Sequence, residues 1–231
     1  MKTQFYNRSE AGQFLAESLS AYANRDDVVV LALPRGGAPV AAEVAKRLDL
    51  PLDVFVVRKL GLPGHPELAM GAIASGGVRV FNGEVVNALR ISDEVIDAVS
   101  GEELIELQRR EKAYRAGLPP LDIEGKTVIV VDDGVATGST MLAAVLALRQ
   151  LNAARIIVAA PVIAASTYSE MQRAADQIAA VMLPENFVAV GLWYKDFSQT
   201  SDEEVRDLLA QAARNAGCPV LVVPSRSEPE S

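Results

Sequence analysis

The chain has 231 residues, half of them apolar and 23% charged, with a mean hydropathy of +0.18; it is one generous domain or a core with a sizeable insertion, not a disordered chain. Its formal charge of −8, from 22 Lys and Arg against 30 Asp and Glu, comes without any block of basic residues, which argues against a nucleic-acid or anionic-membrane surface. One cysteine, Cys218, and one histidine, His65, exclude a disulfide framework, a cysteine-built zinc site and a His-rich metal centre.

No apolar run reaches the roughly 18 residues of a membrane span. The opening MKTQFYNRSEAGQF has no signal-peptide core, so a cytoplasmic protein is expected. Residues 26–34, DDVVVLALP, form a short β-branched run that reads as a fully buried strand. A helix is expected over 41–50 and a second buried strand over 52–58. From 60 to about 125 the rhythm breaks into an inserted arm. It opens with the Gly/Pro-rich GLPGHPE at 61–67 and continues as a hairpin over 70–81, turning at Gly76-Gly77. A charged helix over 93–115 follows, polar on most faces and so placed to flank the core.

Buried strands return at 126–133, 154–162 and 176–184, with an apolar-faced helix at 141–152 between the first two. Strands alternating with helices of this length give βαβ units, a parallel sheet and helices on both faces: a doubly wound α/β fold. Residues 185–224 hold an aromatic-rich segment, a helix at 202–215 and a short strand at 218–224. The tail 225–231 is expected to be disordered. The whole of 1–224 reads as one domain.

The strongest chemical signal is TVIVVDDGVATGSTM at 127–141, a buried strand that ends in two acids and a Gly/Thr/Ser loop leading into a helix. Gly134 and Gly138 permit backbone geometries that bulkier residues forbid. Loop amides and a helix N-terminus make a cradle for phosphate, to which the hydroxyls of Thr137, Ser139 and Thr140 add donors. Asp132 and Asp133 suit sugar hydroxyls or a hydrated Mg²⁺. The Lys of a Walker loop and the G-x-G-x-x-G of a dinucleotide fold are both missing.

This string resembles the phosphoribosyl pyrophosphate (PRPP) signature of type I phosphoribosyltransferases. The resemblance implies that Asp132 and Asp133 contact the ribose hydroxyls. It implies equally that Gly134, Val135, Ala136, Thr137, Gly138, Ser139 and Thr140 surround the 5′-phosphate. LPRGGAPVA at 33–41 resembles the family's pyrophosphate loop, giving Arg35, Gly36 and Gly37 that role; the loop often carries a cis peptide between non-proline residues. Arg58-Lys59 in VRKLGLPG resembles the basic pair that adenine and orotate enzymes aim at pyrophosphate. The LGLPG that follows resembles the start of the adenine enzyme's mobile loop, where His65 and Glu67 could shield the reaction or move a proton.

NFVAVGLWYKDF at 186–197 resembles the C-terminal hood of hypoxanthine-guanine enzymes. There Phe187 and Val188 fall at the positions that cover the base and Asp196 near the acid that reads its edge, with Trp193 and Tyr194 as further stacking candidates. Core packing accounts for these aromatics equally well. Arg109, Arg110 and Lys112 read as a solvated face. One departure stands out: where 6-oxopurine enzymes place a base-contacting aspartate, this chain has Ala136.

The resemblance implies a type I phosphoribosyltransferase fold with a flexible arm and a hood. The implied reaction moves ribose 5-phosphate from PRPP to a nitrogen nucleophile, with Mg²⁺ as cofactor and a small-molecule acceptor as partner. A homodimer is compatible with it. The alternative is a regulator that binds PRPP or a nucleotide on the same fold without catalysis.

Overall fold

The five residues Val28–Ala32 alternate their side chains between two apolar layers, and that alternation organises the protein. In the computed structural model, which describes residues 3–115, 118 and 122–215 (of Pro66 and Glu67 the backbone alone), this segment is strand β1. Val28, Val30 and Ala32 face one layer, built with helices α1 (Arg8–Ser18) and α2 (Gly37–Leu48). Val29 and Leu31 face the other, which takes in Met141, Ala144 and Leu148. A strand covered on both faces must be apolar throughout, and all five residues are buried.

β2 (Leu52–Val54) follows α2 on one side of β1. After the insertion, β6 (Thr127–Val131), α5 (Ser139–Gln150), β7 (Arg155–Val162), α6 (Ala165–Ala174) and β8 (Gln177–Met182) extend the sheet on the other side. All pairings are parallel, in the order β2-β1-β6-β7-β8. The winding therefore reverses between β1 and β6. At such a switch point the loops after the two strands diverge and leave a crevice at their C-terminal ends.

The insertion carries its own antiparallel sheet, β3 (Val57–Leu62), β4 (His65–Ala74) and β5 (Val78–Phe81), followed by α3 (Gly83–Ala88) and α4 (Asp93–Tyr114). The run 52–58, expected as one strand, is split between the two sheets. Phe55 N–H makes the last link to β1, at Ala32 O. Ser75 then takes over the backbone of Val56: its hydroxyl accepts the Val56 N–H at 2.8 Å and its own N–H donates to Val56 O at 2.9 Å. The hairpin turning at Gly76-Gly77 is present as β4–β5. GLPGHPE, expected to open a loop, is mostly strand instead. Leu62 pairs with His65 across Pro63 and a left-handed Gly64, the residue types a tight turn requires.

α1 went unread in the sequence because its apolar periodicity is weak. Asn7 caps it by accepting the Glu10 N–H at 2.9 Å, and the Glu10 carboxylate accepts the Tyr6 N–H at 2.5 Å. Ahead of it, Phe5 forms a parallel bridge to Tyr194. α7 (Asp202–Asn215) packs against α2 and α4. The strand expected at 218–224 and the tail 225–231 lie outside the described residues. Among the described residues no helix is long and apolar enough to cross a membrane.

α4 flanks the core as expected. It buries only Ser100, Leu107 and Tyr114, spaced seven residues apart, while Ile105 is 71% exposed. Leu107→Ala should therefore cost about 2–5 kcal/mol in urea unfolding, and Ile105→Ala no more than about 0.5 kcal/mol. Equal costs would mean that α4 seats on the core by another face.

Candidate functional site

The two acids expected from the sequence stand at the end of β6, in the crevice where the sheet reverses. Asp132 Oδ1 accepts the Asp133 N–H at 2.8 Å, which folds the pair back on itself. The loop after β1 lies directly on top: the Pro34–Arg35 peptide is cis, and Gly36 and Gly37 lead into α2. A Cβ on Gly36 would collide with Asp133 Oδ2, so only glycine lets this backbone rest on the carboxylate. Burial, reinforced by the neighbouring Asp133 charge, pushes the Asp132 carboxyl well above its usual range.

The phosphate-loop candidates Gly134 to Gly138 run from the acids to α5. Val135 is tied between β7 and α6: its N–H donates to Val162 O and its carbonyl accepts from Ala164 N–H, both at 2.9 Å. The Thr167 hydroxyl donates to the carbonyl of Ala136. Gly138 caps α5 at φ +75°, and a side chain there would also strike Thr167 and Met171. Leu142 N–H is the first to reach an acceptor in the helix turn, Gly138 O, which leaves the first amides of α5 without intrahelical acceptors. Thr137 and Ser139 are exposed beside them, hydroxyls 3.3 Å apart.

The site contains a residue that the sequence reading missed. Arg8, the first residue of α1, sets its Nε 2.8 Å from Asp133 Oδ2 and its Nη1 2.7 Å from Ser198 O. Its guanidinium carbon lies 3.9 Å from the centre of the Phe197 ring. A cation at a helix N-terminus opposes the helix dipole, but with α1 itself unread the sequence carries no local signal for Arg8. Tyr194, a candidate to stack on a ligand, is buried instead: its ring stacks on Phe197 and its hydroxyl donates to the Asp133 carbonyl. Desolvation raises the Tyr194 pKa and keeps the hydroxyl a donor.

The other candidates are more dispersed. Arg35 lies 3.5 Å from Asp202 at the start of α7. Arg58 and Lys59, read as a pair, sit within β3, and strand alternation separates them. Arg58 Nε binds Glu103 of α4 at 2.6 Å. Lys59 instead lines a groove of about 510 Å³ together with Phe81, Thr137 and Ser139. His65 is exposed at the tip of the β3–β4 hairpin, and the Glu67 side chain lies outside the described residues. Phe187 packs against Trp193 at 6.1 Å, whose indole N–H is buried without an acceptor; Val188 is 83% exposed. Asp196 accepts the Ser198 N–H at 3.0 Å, and this bond holds its carboxyl low. Arg109 and Arg110 both pair with Glu106 and pull its pKa down to about 2, as a solvated face would.

Among the described residues no group of three or more His, Cys, Asp or Glu side chains could hold a metal. Mg²⁺ commonly takes one or two carboxylates and completes its shell with water and substrate phosphate. Asp132 fits such a partial site. Asp133 fits it less well, because Oδ2 is committed to Arg8.

Residues 3–192 match the family model described as the phosphoribosyl transferase domain. The chain is 44% identical over 211 residues to a Mycobacterium tuberculosis protein provisionally named a phosphoribosyl transferase, in strains CDC 1551 and H37Rv. That match covers 91% of this chain and 47% of the relative, so the chain spans about half the length of the curated relatives it matches. It also resembles the crystal structure of TT1426 from Thermus thermophilus, with 38% identity, a TM-score of 0.80, and coverage of 90% of this chain and 98% of that one.

The raised pKa of Asp132 makes the site costly to the fold. Folded Asp132 holds its proton more tightly than the unfolded chain does, so its ionisation lowers stability as pH rises from the ordinary 3.8 through the folded value. Asp132→Asn should therefore melt at a higher temperature than the wild type at neutral pH. The gain should vanish on acidification to the ordinary carboxylate range. A lower melting temperature at neutral pH would contradict this.

Proposed function

The chain belongs to the phosphoribosyl transferase domain family, and on that premise we propose that it moves ribose 5-phosphate from PRPP to a nitrogen nucleophile. One observation carries the reading. The acid pair, the amide-rich N-terminus of α5 and the Arg35-Gly36-Gly37 turn meet at the carboxyl edge of the sheet, at its switch point.

In this reading the loop from Ala136 to Thr140 holds the 5′-phosphate through backbone amides and hydroxyls, while Val135, whose N–H donates to Val162 O, anchors the loop to β7. Asp132 and Asp133 accept hydrogen bonds from the ribose hydroxyls and orient C1. The C1–O bond to pyrophosphate breaks as the nitrogen attacks, and the electron pair leaves with the pyrophosphate. Mg²⁺ entering with the substrate would neutralise charge on that leaving group. Arg35, at the turn, and Lys59, across from the phosphate loop, supply cations from the chain itself. Orientation, charge stabilisation and exclusion of water provide the rate, and the β3–β4 hairpin would close over the crevice. His65 at its tip, with Glu67, would shield the reaction. Phe187 and Trp193 would offer planar surfaces for a base and the exposed Val188 an apolar contact, with Asp196 as the candidate acid to read its edge.

One observation favours the rival reading of a nucleotide-binding protein without turnover. Arg58, expected at the pyrophosphate, is engaged by Glu103. A binding assay tests what the two readings share. A nucleoside 5′-monophosphate should bind at least about 3 kcal/mol more tightly than its nucleoside, on the order of a hundredfold or more. Equal affinities in calorimetry would refute the phosphate-loop assignment.

Turnover separates the two readings, and Ala136 narrows the acceptor. A ring N–H facing a methyl group where the 6-oxopurine enzymes place an aspartate loses about 1–3 kcal/mol, a tenfold to over a hundredfold handicap. With PRPP and Mg²⁺, pyrophosphate release should be faster with adenine or a less common heterocycle than with hypoxanthine or guanine. A tenfold preference for hypoxanthine or guanine would overturn the argument from Ala136. Binding without release for any nucleobase or orotate would favour the rival.

A further inference from the structure

We propose that Arg8 is a positioning residue for the site, fixing the Asp133 carboxylate so that recognition of ribose hydroxyls depends on a side chain from the N-terminal helix. The proposal rests on the reading of the crevice as a ribose 5-phosphate site.

Asp133 has two carboxylate oxygens, and one is already committed. Oδ2 is held by Arg8 Nε at 2.8 Å and lies so close to Gly36 that no Cβ could stand there. The carboxylate therefore has little freedom to rotate, and recognition of a ligand falls to Oδ1. Arg8 is itself held at three points: by Asp133, by the Ser198 carbonyl at 2.7 Å, and by the Phe197 ring under its face at 3.9 Å. Its side chain is 11% exposed and that of Asp133 12%, against 43% and 56% for the surface pair Arg25–Asp27.

Exposed ion pairs contribute little, because solvent screens them and both side chains must be ordered. A shielded pair with one fixed geometry has a different use: it sets the direction in which the remaining oxygen points. The same guanidinium joins the acid to the hood, since Phe197 stacks on Tyr194 and the Tyr194 hydroxyl donates to the Asp133 carbonyl. Lysine cannot copy this arrangement. It has the charge, but neither the planar face for Phe197 nor two N–H groups at the fixed angle that serves Asp133 and Ser198 together.

The test compares a nucleoside 5′-monophosphate with its 2′,3′-dideoxy counterpart by calorimetry on the wild type, Arg8→Ala and Arg8→Lys, with melting curves to confirm folding. The wild type should prefer the ribose form by about tenfold or more, as hydroxyls bonded to a charged acceptor predict. In Arg8→Ala that preference should fall to about threefold or less, while affinity for the dideoxy ligand stays within about twofold, since the phosphate loop is untouched. Arg8→Lys should lose most of the preference as well. Should Arg8→Ala not fold, Arg8→Lys and Phe197→Leu decide, the latter keeping the cation and removing its platform. An unchanged preference in the folded variants, or an equal loss for both ligands, would overturn the positioning role and leave the reading of the site intact. A wild type that binds neither ligand, or does not distinguish them, would overturn that reading and the proposal with it.

Discussion

Two adjacent carboxylates at the end of a buried parallel strand are the constraint around which the rest of the molecule is arranged. Carboxylates shielded from water and set side by side repel one another, and here burial and its neighbour's charge raise the Asp132 pKa. The chain answers locally, by letting Asp132 accept the backbone N–H of Asp133. It answers at long range, by bringing Arg8 to the second acid across 125 residues of sequence. Gly36 and Gly37 are small because the backbone after β1 must pass over both groups. The segment around Tyr194 is anchored to the acids through its hydroxyl, which donates to the Asp133 carbonyl.

The same sharing of partners links the outer elements to the crevice. Asp202 at the start of α7 accepts the Tyr114 hydroxyl of α4 at 3.0 Å and also faces Arg35 of the turn after β1. Burial and this acid raise the Tyr114 pKa, which keeps the phenol protonated as a donor. Arg115, one residue on, forms a two-pronged pair with Asp53 of β2 at 2.8 Å for each bond. The long polar helix is thus fastened to the main sheet by side-chain bonds at its C-terminal end and by a narrow apolar stripe along its length. A helix held in this manner can carry an acid, Glu103, to a fixed place beside Arg58.

Much of the fold was legible in the sequence because β1, β6 and β7 are short apolar runs buried on both faces, a pattern that neither a half-exposed strand nor an amphipathic helix produces. The acids and glycines after β6 were legible for a similar reason, since a strand ending in Asp132-Asp133 and a Gly-rich turn has a narrow range of uses. Features decided by a single tertiary bond were not legible. The break between β2 and β3 depends on Ser75, far along the chain, taking the backbone of Val56. Helix α1 has a weak apolar face and is secured by its cap and by Phe5 against Tyr194. Arg8 was hidden because a lone cation in a polar N-terminal stretch has no local pattern; its role appears only when residues 133 and 197–198 are folded around it. Arg58 and Lys59 looked like one basic unit, although strand geometry sends neighbours to opposite sides.

The reach of Arg8 also sets an order of events in time. During synthesis helix α1 emerges well before the carbonyl that completes its guanidinium's surroundings, which belongs to a residue 190 positions later. At about 5–20 residues per second, roughly ten to forty seconds separate the two. Through that interval the parallel sheet can assemble strand by strand while the acid pair waits for its cation and its cover. Closing so long a loop is entropically costly and slow compared with forming local contacts. The crevice is therefore completed late, and a nascent chain stalled before residue 198 would carry the strands of the parallel sheet without the cover of its acid pair.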